Sequence, residues 1–444
     1  MSALALCGGT VAVGLAPAEL TDADVVVEDG RIAAVGPAPA GLARRDCSGT
    51  LVLPGNVCAH THLYSALSRG MPYSLAAPAS FTEILQRVWW RLDRALDEPS
   101  VRMSALAGGL EALLAGTTTV FDHHSSPNFV DGSLDVLAGA LAAVGLRSVL
   151  CYEVSDRDGP ERAAAGLAEN VRFAAAPPPL TRPMIGAHAS FTLSDDTLLA
   201  CAAAAADTGT GVHIHVAEDE ADQADAAALY RCRVTQRLEA AGVITGSALL
   251  AHCVHIDEAE AALIAGAGAT VAVNARSNMN NAVGHGPARG PRVALGTDGI
   301  GGDMITESQT AFFRAREASL ATPPSWPLDR LAAGAGAAGR IFGEPLLGRI
   351  TPGAPADIVV LDYAAPAPLT AQSLAGHWVF GCSPRQVRDV LVAGELVIAD
   401  RRPTRLDPAE LAALARREAQ RLWDRAADVP PHPFRPATGA SRWP

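Results

Sequence analysis

From Leu51 to Gly299, short apolar or β-branched runs alternate with longer segments of helical period. This alternation is the pattern expected of repeated βα units. Eight such runs can be found: LVLPGNVCAH (51–60), TTTVFDHH (117–124), RSVLCYEV (147–154), PMIGAHAS (183–190), GVHIHVAE (211–218), ALLAHCV (248–254), TVAVNAR (270–276) and RVALGTDG (292–299). Eight strands that alternate with helices predict an α/β fold, a (β/α)8 TIM-like barrel, whose functional site lies where the strands end and the βα loops begin.

The segments on either side of this region have a different pattern of apolar and polar residues. Residues 1–52 contain short alternating runs with turn signals, and residues 349–405 repeat the same pattern. We therefore expect one small β-sandwich domain, built from both termini, beside a barrel that covers residues 53–348. Residues 406–444 begin as a helix and end in a Pro-rich tail, which we expect to be extended or loosely packed.

Composition excludes several kinds of partner. The formal net charge is −12 and no basic run appears, which argues against nucleic acid and against anionic membrane surfaces. No window reaches the apolar length of a membrane span. The eight cysteines are scattered without a C-x-x-C pair, so a reducing cytoplasm fits best.

Histidine is distributed unevenly along the chain. Ten of the twelve histidines lie between His60 and His285, most of them near a predicted strand end. Residues i and i+2 of a strand face the same side, so His60 and His62 can both point into a barrel mouth and bind one ion. Taken alone, an H-x-H pair is weak evidence, because two hydrogen-bonded histidines are the more common explanation.

Two further motifs strengthen the metal interpretation. The run HIHVAE repeats the H-x-H device on the fifth predicted strand, and the eighth closes with GTDG, which puts Asp298 where a carboxylate can join the imidazoles. Imidazole and carboxylate ligands from separate strand ends suit Zn²⁺ or Fe²⁺, with one position left for water.

Together these motifs resemble the amidohydrolase superfamily, in its deaminase and chlorohydrolase branch. The resemblance rests on the H-x-H of strand one, a histidine followed three residues on by glutamate in strand five, AHC in strand six and the aspartate after strand eight. It extends to ITPGAPADIVVLD and VRDVLVAGELV, which are similar to the family's closing sheet segments. Within the branch, GNVCAHTHLYSALSRG, DHHSSPN, CYEVSDRDG and RSNMNNAVG are most similar to SsnA-type aminohydrolases.

The resemblance implies a single divalent metal ion, with zinc as the first choice, iron as the alternative and no organic cofactor. Its implied ligands are His60, His62, His215 and Asp298. His213 lies deeper in the fifth strand and is expected to be a core or supporting histidine. The chain contains no lysine, which agrees with a mononuclear site because two-metal members usually bridge their ions with a carbamylated lysine.

Three residues are implied as catalytic. Glu218 matches the proton shuttle of the family, although a glutamate at a helix N-terminus is the alternative explanation. Asp298 is expected both to ligate the metal and to accept a proton from the nucleophilic water. His252 matches the family's electrophilic histidine, whereas His255 is expected to be structural.

Several residues near other strand ends are candidates for substrate contacts. His188 closes strand four, and of His123 and His124, which end strand two, one is expected to face the pocket. After strand three, an acidic pair that reached the site would favour a cationic or amine-rich ligand, but a solvated loop explains it equally well. The remaining candidates are Tyr152, Glu153, Asp156, Arg276, Asn278, Asn280 and Asn281. In relatives, proline usually follows the asparagine of strand seven, whereas this chain has Ala275 at that position. The conformation of this loop can therefore differ from that of the relatives.

The leading functional prediction is a metal-dependent aminohydrolase that hydrolyses a C–N bond and releases ammonia from an amino-substituted N-heterocycle. The alternative uses the same site to cleave a cyclic amide, an imidazolone, an amidine or a chlorinated heterocycle. A catalytically dead scaffold is poorly motivated, because every implied ligand and acid is present. We expect a small-molecule substrate and a homodimer or higher homo-oligomer.

Overall fold

The computed structural model describes residues 3–73, 75–286, 290 and 292–437. In this part of the chain the strands are β1 (Leu4–Leu15), β2 (Ala18–Glu28), β3 (Arg31–Val35), β4 (Ala43–Asp46), β5 (Leu51–Pro54), β6 (Asn56–Thr61), β7 (Thr117–His124), β8 (Arg147–Val154), β9 (Thr181–Pro183), β10 (Ile185–Ala189), β11 (Val212–Val216), β12 (Leu249–His252), β13 (Thr270–Val273), β14 (Val293–Leu295), β15 (Ile358–Leu361), β16 (Val387–Val392), β17 (Glu395–Ala399) and β18 (Arg402–Pro403).

The α-helices of the same residues are α1 (Phe81–Ile84), α2 (Trp90–Ala95), α3 (Glu98–Leu114), α4 (Ser133–Val144), α5 (Pro160–Ala174), α6 (Asp195–Thr208), α7 (Glu220–Tyr230), α8 (Val234–Ala240), α9 (Glu258–Ala267), α10 (Ala275–Asn280), α11 (Met304–Ala318), α12 (Trp326–Phe342), α13 (Leu374–Phe380) and α14 (Pro408–Asp428). A π-helical turn, Leu85–Trp89, joins α1 to α2. None of the described helices is long and apolar enough to cross a membrane.

Eight parallel strands form the predicted barrel, in the order β6, β7, β8, β10, β11, β12, β13, β14. The last strand returns to the first through a parallel bridge between Thr61 and Asp298, where the Thr297 backbone N–H also donates to His60 O at 2.8 Å. The long strands β7 and β8 are buried over their full lengths, which explains why they read as continuous apolar or β-branched runs. The predicted TIM-like fold is confirmed.

The first predicted strand is two strands in the structure. Residues 51–54 form β5 in a second sheet, whereas residues 56–61 form β6 in the barrel. Gly55 separates them, and a Cβ at this position would lie only 2.1 Å from Thr118 Oγ1. The chain therefore changes sheets at a point where only glycine fits against β7.

The second sheet contains nine strands and draws on both termini, as predicted. Its path is β18, β17, β16, β15, β5, β1, β2, β3, with β4 paired to β1. Strand β15 pairs antiparallel with β5, so that a C-terminal strand lies beside an N-terminal one. The residue limits of this domain and of the barrel remain predictions.

The C-terminal tail is extended, but it is not loosely packed where the structure describes it. After α14, side chains alternate between buried and exposed along residues 431–436. His432 and Phe434 point inward and are only 4% and 3% exposed. Hydrogen bonds from the barrel loops to the tail backbone explain this packing, which the Pro-rich composition did not reveal.

Candidate active site

Five side chains converge at the carboxyl ends of β6, β11, β12 and β14. One ring nitrogen from each of three histidines and one carboxylate oxygen lie within 4.8 Å of one another, and they belong to His60, His215, His252 and Asp298. His62 joins this cluster, with its Nε2 3.0 Å from Asp298 Oδ1 and 3.2 Å from His215 Nε2. All five residues are buried. The four residues expected to bind a metal are thus brought together, and His252 stands among them.

Strand geometry and local backbone strain place these side chains. His60 lies in β6 and His62 directly follows it, so the two-residue period of a strand directs both to one side. His252 and Asp298 have positive φ angles of 70° and 53°, which non-glycine residues seldom adopt. Such strain persists where surrounding contacts enforce it, and the Asp298 backbone is held by two hydrogen bonds to β6 and His62.

Two of the imidazoles are oriented by backbone carbonyls. His62 Nδ1–H donates to His123 O at 2.5 Å, and His215 Nδ1–H donates to His188 O at 2.8 Å. Since each Nδ1 carries the proton, each Nε2 presents its lone pair to the centre of the cluster. Carbonyl partners of this kind are typical of metal-binding histidines.

His60 is oriented by a side chain. Its Nδ1 lies 2.8 Å from Nε2 of His213, a fully buried residue whose own Nδ1 faces Cys151 Sγ at 3.7 Å. His213 therefore supports His60 from below, as its position deeper in the strand predicted.

Two buried ring nitrogens in this cluster destabilise the folded protein unless a ligand binds them. Both His60 Nε2 and His252 Nε2 are buried and make no hydrogen bond within the described part of the chain. Buried polar atoms are nearly always paired, so unpaired ones at a cluster of ligand groups call for an explanation. A divalent ion fits: imidazoles and a carboxylate at strand ends form the nitrogen and oxygen donor set of zinc and iron sites.

Glu218 lies beside this cluster, two residues beyond β11. Its Oε2 is 3.5 Å from His252 Nε2, and its Oε1 accepts a hydrogen bond from Asn281 Nδ2 at 3.3 Å. Burial raises the pKa of Glu218 to about 7, and the nearby Asp298 charge adds to this rise although His252 opposes it. Near neutral pH the carboxyl group can therefore both give and take a proton.

Asn278 and Ser277 act on members of the cluster. The Oδ1 atom of Asn278 accepts from His252 Nδ1–H at 2.8 Å, which leaves His252 Nε2 facing Glu218. The Ser277 hydroxyl donates to Asp298 Oδ2. Asn278, expected to contact substrate, instead orients the histidine in this structure.

A pocket opens above the cluster. One side is apolar and comes mainly from the helical segment 81–95 together with Phe191, which packs in the same apolar cluster. Within this segment the π-helical turn ends at Trp89, and Trp89 and Trp90 both line the pocket. π-helical turns occur frequently at functional sites. The floor contains His62, His215, Glu218 and Asp298, together with His188.

His188 meets the pocket as expected for a substrate contact. Its Nδ1 lies 2.7 Å from Thr192 Oγ1, and burial lowers the pKa of His188 to about 3. The ring is therefore neutral, so it can offer its Nε2 as a hydrogen-bond partner.

An ionic cluster forms the deep side of the pocket. Arg157 donates to Glu153 Oε1 and to Asp93 Oδ2, both at 2.7 Å, and it is fully buried. His123 Nδ1 contacts Glu153 Oε2 at 3.2 Å from behind. Asp93 and Glu153 line the pocket, whereas Arg157 does not. Of the acidic pair predicted after strand three, Glu153 thus reaches the site. Asp156 does not, because its carboxylate accepts hydrogen bonds from the Ser194 N–H at 2.6 Å and the Thr197 hydroxyl at 2.9 Å, at the start of α6.

Some candidates for substrate contacts are directed elsewhere. The Arg276 guanidinium pairs with Glu307 at 2.5 Å and binds Gly301 O at 2.9 Å, which turns it away from the pocket. His124 Nε2 bonds Ser126 Oγ at 2.8 Å, and the Tyr152 ring packs where a Cβ on Gly166 would touch it. The His123 ring forms its hydrogen bonds with groups beneath the cluster. None of these four is among the described residues that line the pocket, so the expectation of direct contact is corrected.

Other pocket residues were missed. Trp90 and Asp93 sit on the segment between strand one and α3, and each has a buried polar atom, Nε1 and Oδ1, without a partner among the described residues. The signal was present in FTEILQRVWWRLDRAL, a helical stretch from Phe81 onward between the H-x-H motif and the second predicted strand. A loop element at this place of a barrel borders the functional face.

Comparison with known proteins agrees with this picture. The profile described as the Amidohydrolase family matches residues 51–397. A 5-methylthioadenosine/S-adenosylhomocysteine deaminase of Desulforudis audaxviator is 32% identical over 422 residues, which cover 90% of this chain and 94% of that protein. A 5'-deoxyadenosine deaminase of Methanopyrus kandleri is 28% identical and covers 81% and 84%.

Solved structures show the same architecture. An adenosine deaminase from Xanthomonas campestris with bound zinc superposes with a TM-score of 0.82 at 26% identity, over 94% of this chain and 98% of that one. An atrazine chlorohydrolase from Arthrobacter aurescens, complexed with zinc, has a TM-score of 0.79 at 23% identity over 94% and 100%, and this likeness concerns the fold alone. The chain belongs to the amidohydrolase family and is a hydrolase of carbon–nitrogen bonds, as its motifs predicted.

Proposed function

We propose that this protein deaminates an amino-substituted N-heterocycle, with one zinc ion held by His60, His62, His215 and Asp298. The observation that carries the proposal is Glu218, a carboxyl group whose pKa burial raises to about 7, beside buried imidazole nitrogens that make no hydrogen bond within the described chain. The adenosine deaminase relatives support the reaction class. A divalent ion bound here supplies hydroxide near neutral pH by lowering the pKa of water.

The protein side chains then manage the protons. Asp298 accepts the proton of the attacking water, and Glu218 protonates the ring nitrogen beside the amino-bearing carbon. His252, held by Asn278 through its Nδ1–H, presents the Nε2 lone pair, which can accept a hydrogen bond from the attacking water and so help to hold it. The C–N bond breaks after the amino group gains a proton, so one water is consumed, one ammonia leaves and the ring carbon becomes a carbonyl.

The charges around the pocket define the substrate class further. Six carboxyl groups line it, those of Asp93, Glu153, Glu218, Asp219, Asp222 and Asp298, and the described lining contains no arginine. The nearby cation, Arg157, is already shared by two carboxylates. A phosphate or carboxylate group away from the metal would meet these carboxyl groups, and the described lining offers it no arginine to pair with. We therefore assign an uncharged or cationic substrate.

Asp93 and Trp90 supply the remaining contacts in this proposal. Asp93 Oδ1 can accept and Trp90 Nε1 can donate, and both atoms are buried without partners in the described residues. An acceptor and a donor side by side suit the hydroxyl groups of a sugar. An adenine nucleoside without a phosphate, such as 5'-deoxyadenosine, therefore fits both ends of the pocket.

Ammonia release tests the proposal. The zinc-loaded protein should deaminate 5'-deoxyadenosine, and Glu218→Gln should lower kcat by about 1,000-fold because the proton shuttle is lost. Glu220→Gln is the matched control, since that glutamate lies two residues away with 86% of its side chain exposed. Equal activity in wild type and Glu218→Gln would contradict the role of Glu218.

The substrate class has a separate test. Adenosine 5'-monophosphate should react with a kcat/KM at least about 100-fold below that of 5'-deoxyadenosine, because its phosphate faces the acidic wall. Comparable values for the two compounds would show that the pocket accepts anions. Turnover of a chlorinated heterocycle or a cyclic amide, with no ammonia released from either nucleoside compound, would redirect the assignment to another bond.

The metal, the assembly and the compartment also belong to this proposal. We propose zinc over iron on the strength of the donor set and of the zinc-bound relative. A metal content of about one zinc per chain in the purified protein would support it. A homodimer or higher homo-oligomer in the cytoplasm remains our prediction, and light scattering checks the assembly.

A further inference from the structure

Residues 429–437, here called the C-terminal strap, run along the loops that form the barrel mouth. Arg94 Nη2 donates to Pro430 O at 2.6 Å, and Gln86 Nε2 donates to Phe434 O at 2.7 Å. At the far end, the Ala437 N–H donates to Asp225 Oδ1 at 2.5 Å, on α7. The strap thus joins the segment after β6 to the helix after β11.

The strap supports the apolar wall of the pocket. The Phe434 ring lies 5.8 Å from Trp90, edge to face, and 6.4 Å from Phe191. Trp90 and Phe191 both line the pocket, whereas Phe434 lies behind them. Edge-to-face aromatic pairs add to the burial of apolar area and fix ring orientation. Phe434 therefore restrains the Trp90 indole from the side opposite the substrate.

The strap also touches the ionic cluster. His432 Nε2–H donates to Asp158 Oδ1 at 3.3 Å, and its Nδ1 accepts from the Phe434 N–H at 3.0 Å. Asp158 in turn lies 3.5 Å from Arg157 Nε. The imidazole also packs against Trp90 at 5.2 Å. One histidine of the strap thus borders both the indole and the partners of Arg157.

We propose that His432 and Phe434 are positioning residues that set substrate affinity by holding Trp90 and Arg157 in place. The inference rests on the proposed function, because it takes this pocket as the substrate site. Neither side chain lines the pocket, so each acts through another residue. Their loss should affect binding more than the chemical step, since Glu218 and the metal-binding cluster have other supports.

Steady-state kinetics with 5'-deoxyadenosine test this inference. Phe434→Ala should raise KM about ten-fold and leave kcat within about two-fold, because the wall loosens while the reacting groups stay in place. His432→Ala should act in the same direction. Phe434→Leu should restore most of the affinity, since it refills the apolar space. Unchanged KM in Phe434→Ala, or a lower kcat with unchanged KM, overturns the proposal.

Two control variants separate the strap's role from general damage. Arg435→Ala alters an exposed residue between the buried ones and should leave KM unchanged. Phe380→Ala removes a phenylalanine that is 69% exposed and lies on α13, away from the strap. A rise in KM equal to that of Phe434→Ala in either control would overturn the assignment.

Hydrogen exchange gives a readout that does not depend on activity. Amides of residues 81–95 should exchange faster in Phe434→Ala than in wild type or Arg435→Ala, because the segment loses its outer support. If wild type releases no ammonia from any nucleoside, the proposed function fails while this experiment still decides the strap. Equal exchange in wild type and Phe434→Ala overturns it.

Discussion

Two buried ion pairs of this protein differ in how completely they are satisfied. Between the barrel and the terminal sheet, Arg147 binds Asp357 through Nε and Nη2 at 2.9 and 3.0 Å, and the Ala393 N–H also donates to this carboxylate. At the deep side of the pocket, Arg157 binds only one oxygen of the pocket residue Asp93, and the other oxygen has no hydrogen-bond partner in the described residues. The complete pair holds two sheets together, whereas the incomplete pair leaves an acceptor for a ligand.

The largest expected effect comes from breaking the complete pair. Arg147→Met leaves Asp357 buried without its counter-ion, which should lower the free energy of unfolding by about 3–5 kcal/mol. Activity per folded molecule should persist, because Arg147 begins β8 while the pocket lies at its other end. Denaturant unfolding measures the loss. Arg31→Met, which breaks a half-exposed pair with Glu344, should cost less than about 1 kcal/mol.

The next effect concerns pH at the pocket. Burial raises the pKa of Glu218 from 4.5 to about 7, so the folded protein binds a proton that the unfolded chain has released. Stability of the metal-free protein should therefore fall as pH rises from 4.5 to 7, by up to about 3 kcal/mol. Glu218→Gln should reduce this slope in unfolding curves without abolishing it, because burial also raises the pKa of Asp93, Asp122 and Asp222 to about 7. A slope equal to that of the wild type would show that Glu218 does not contribute to the titration.

A change at the incomplete pair should affect function more than folding. Asp93→Asn keeps an oxygen acceptor but removes the charge, so kcat/KM for 5'-deoxyadenosine should fall about 100-fold. The free energy of unfolding should change by only about 1 kcal/mol, because Arg157 retains Glu153. A loss of stability as large as that of Arg147→Met would erase the distinction between the two pairs.

The smallest effect is expected at Tyr152. This tyrosine was a candidate substrate contact in the sequence, but its ring packs against α5 at Gly166. Tyr152→Phe should change kcat/KM by less than about two-fold, since no hydroxyl contact with the substrate is lost. A drop of ten-fold or more would place the hydroxyl in the pocket after all.

The features that could be predicted from the sequence are those whose physical cause acts between residues close together in the chain. The barrel strands, and the convergence of His60, His62, His215 and Asp298, follow from strand period and from the rule that parallel strands end at one face. These causes act within one βα unit or repeat in every unit. The two sheets that meet at Gly55 were harder to separate, because the apolar run 51–60 continues across the glycine.

Distant contacts explain what the sequence did not predict. Arg157 reaches Asp93 across 64 residues, and Gln86 reaches Phe434 across 348. Arg276 is predicted to contact the substrate because it follows strand seven. In the structure it forms an ion pair with the buried Glu307 on α11 instead. Residue patterns show which groups are polar, but competition between partners from different elements decides where each one points.

The pairing of β5 with β15 has a consequence for biosynthesis. Leu53 in β5 lies opposite Val359 in β15. During synthesis, β5 therefore has no partner at this edge until about 300 further residues have been added. At the usual pace of translation, about 5–20 residues per second, the open edge of β5 stays without that neighbour for roughly 15–60 s. An exposed strand edge can pair with other chains, so chaperone capacity should limit the soluble yield of this protein.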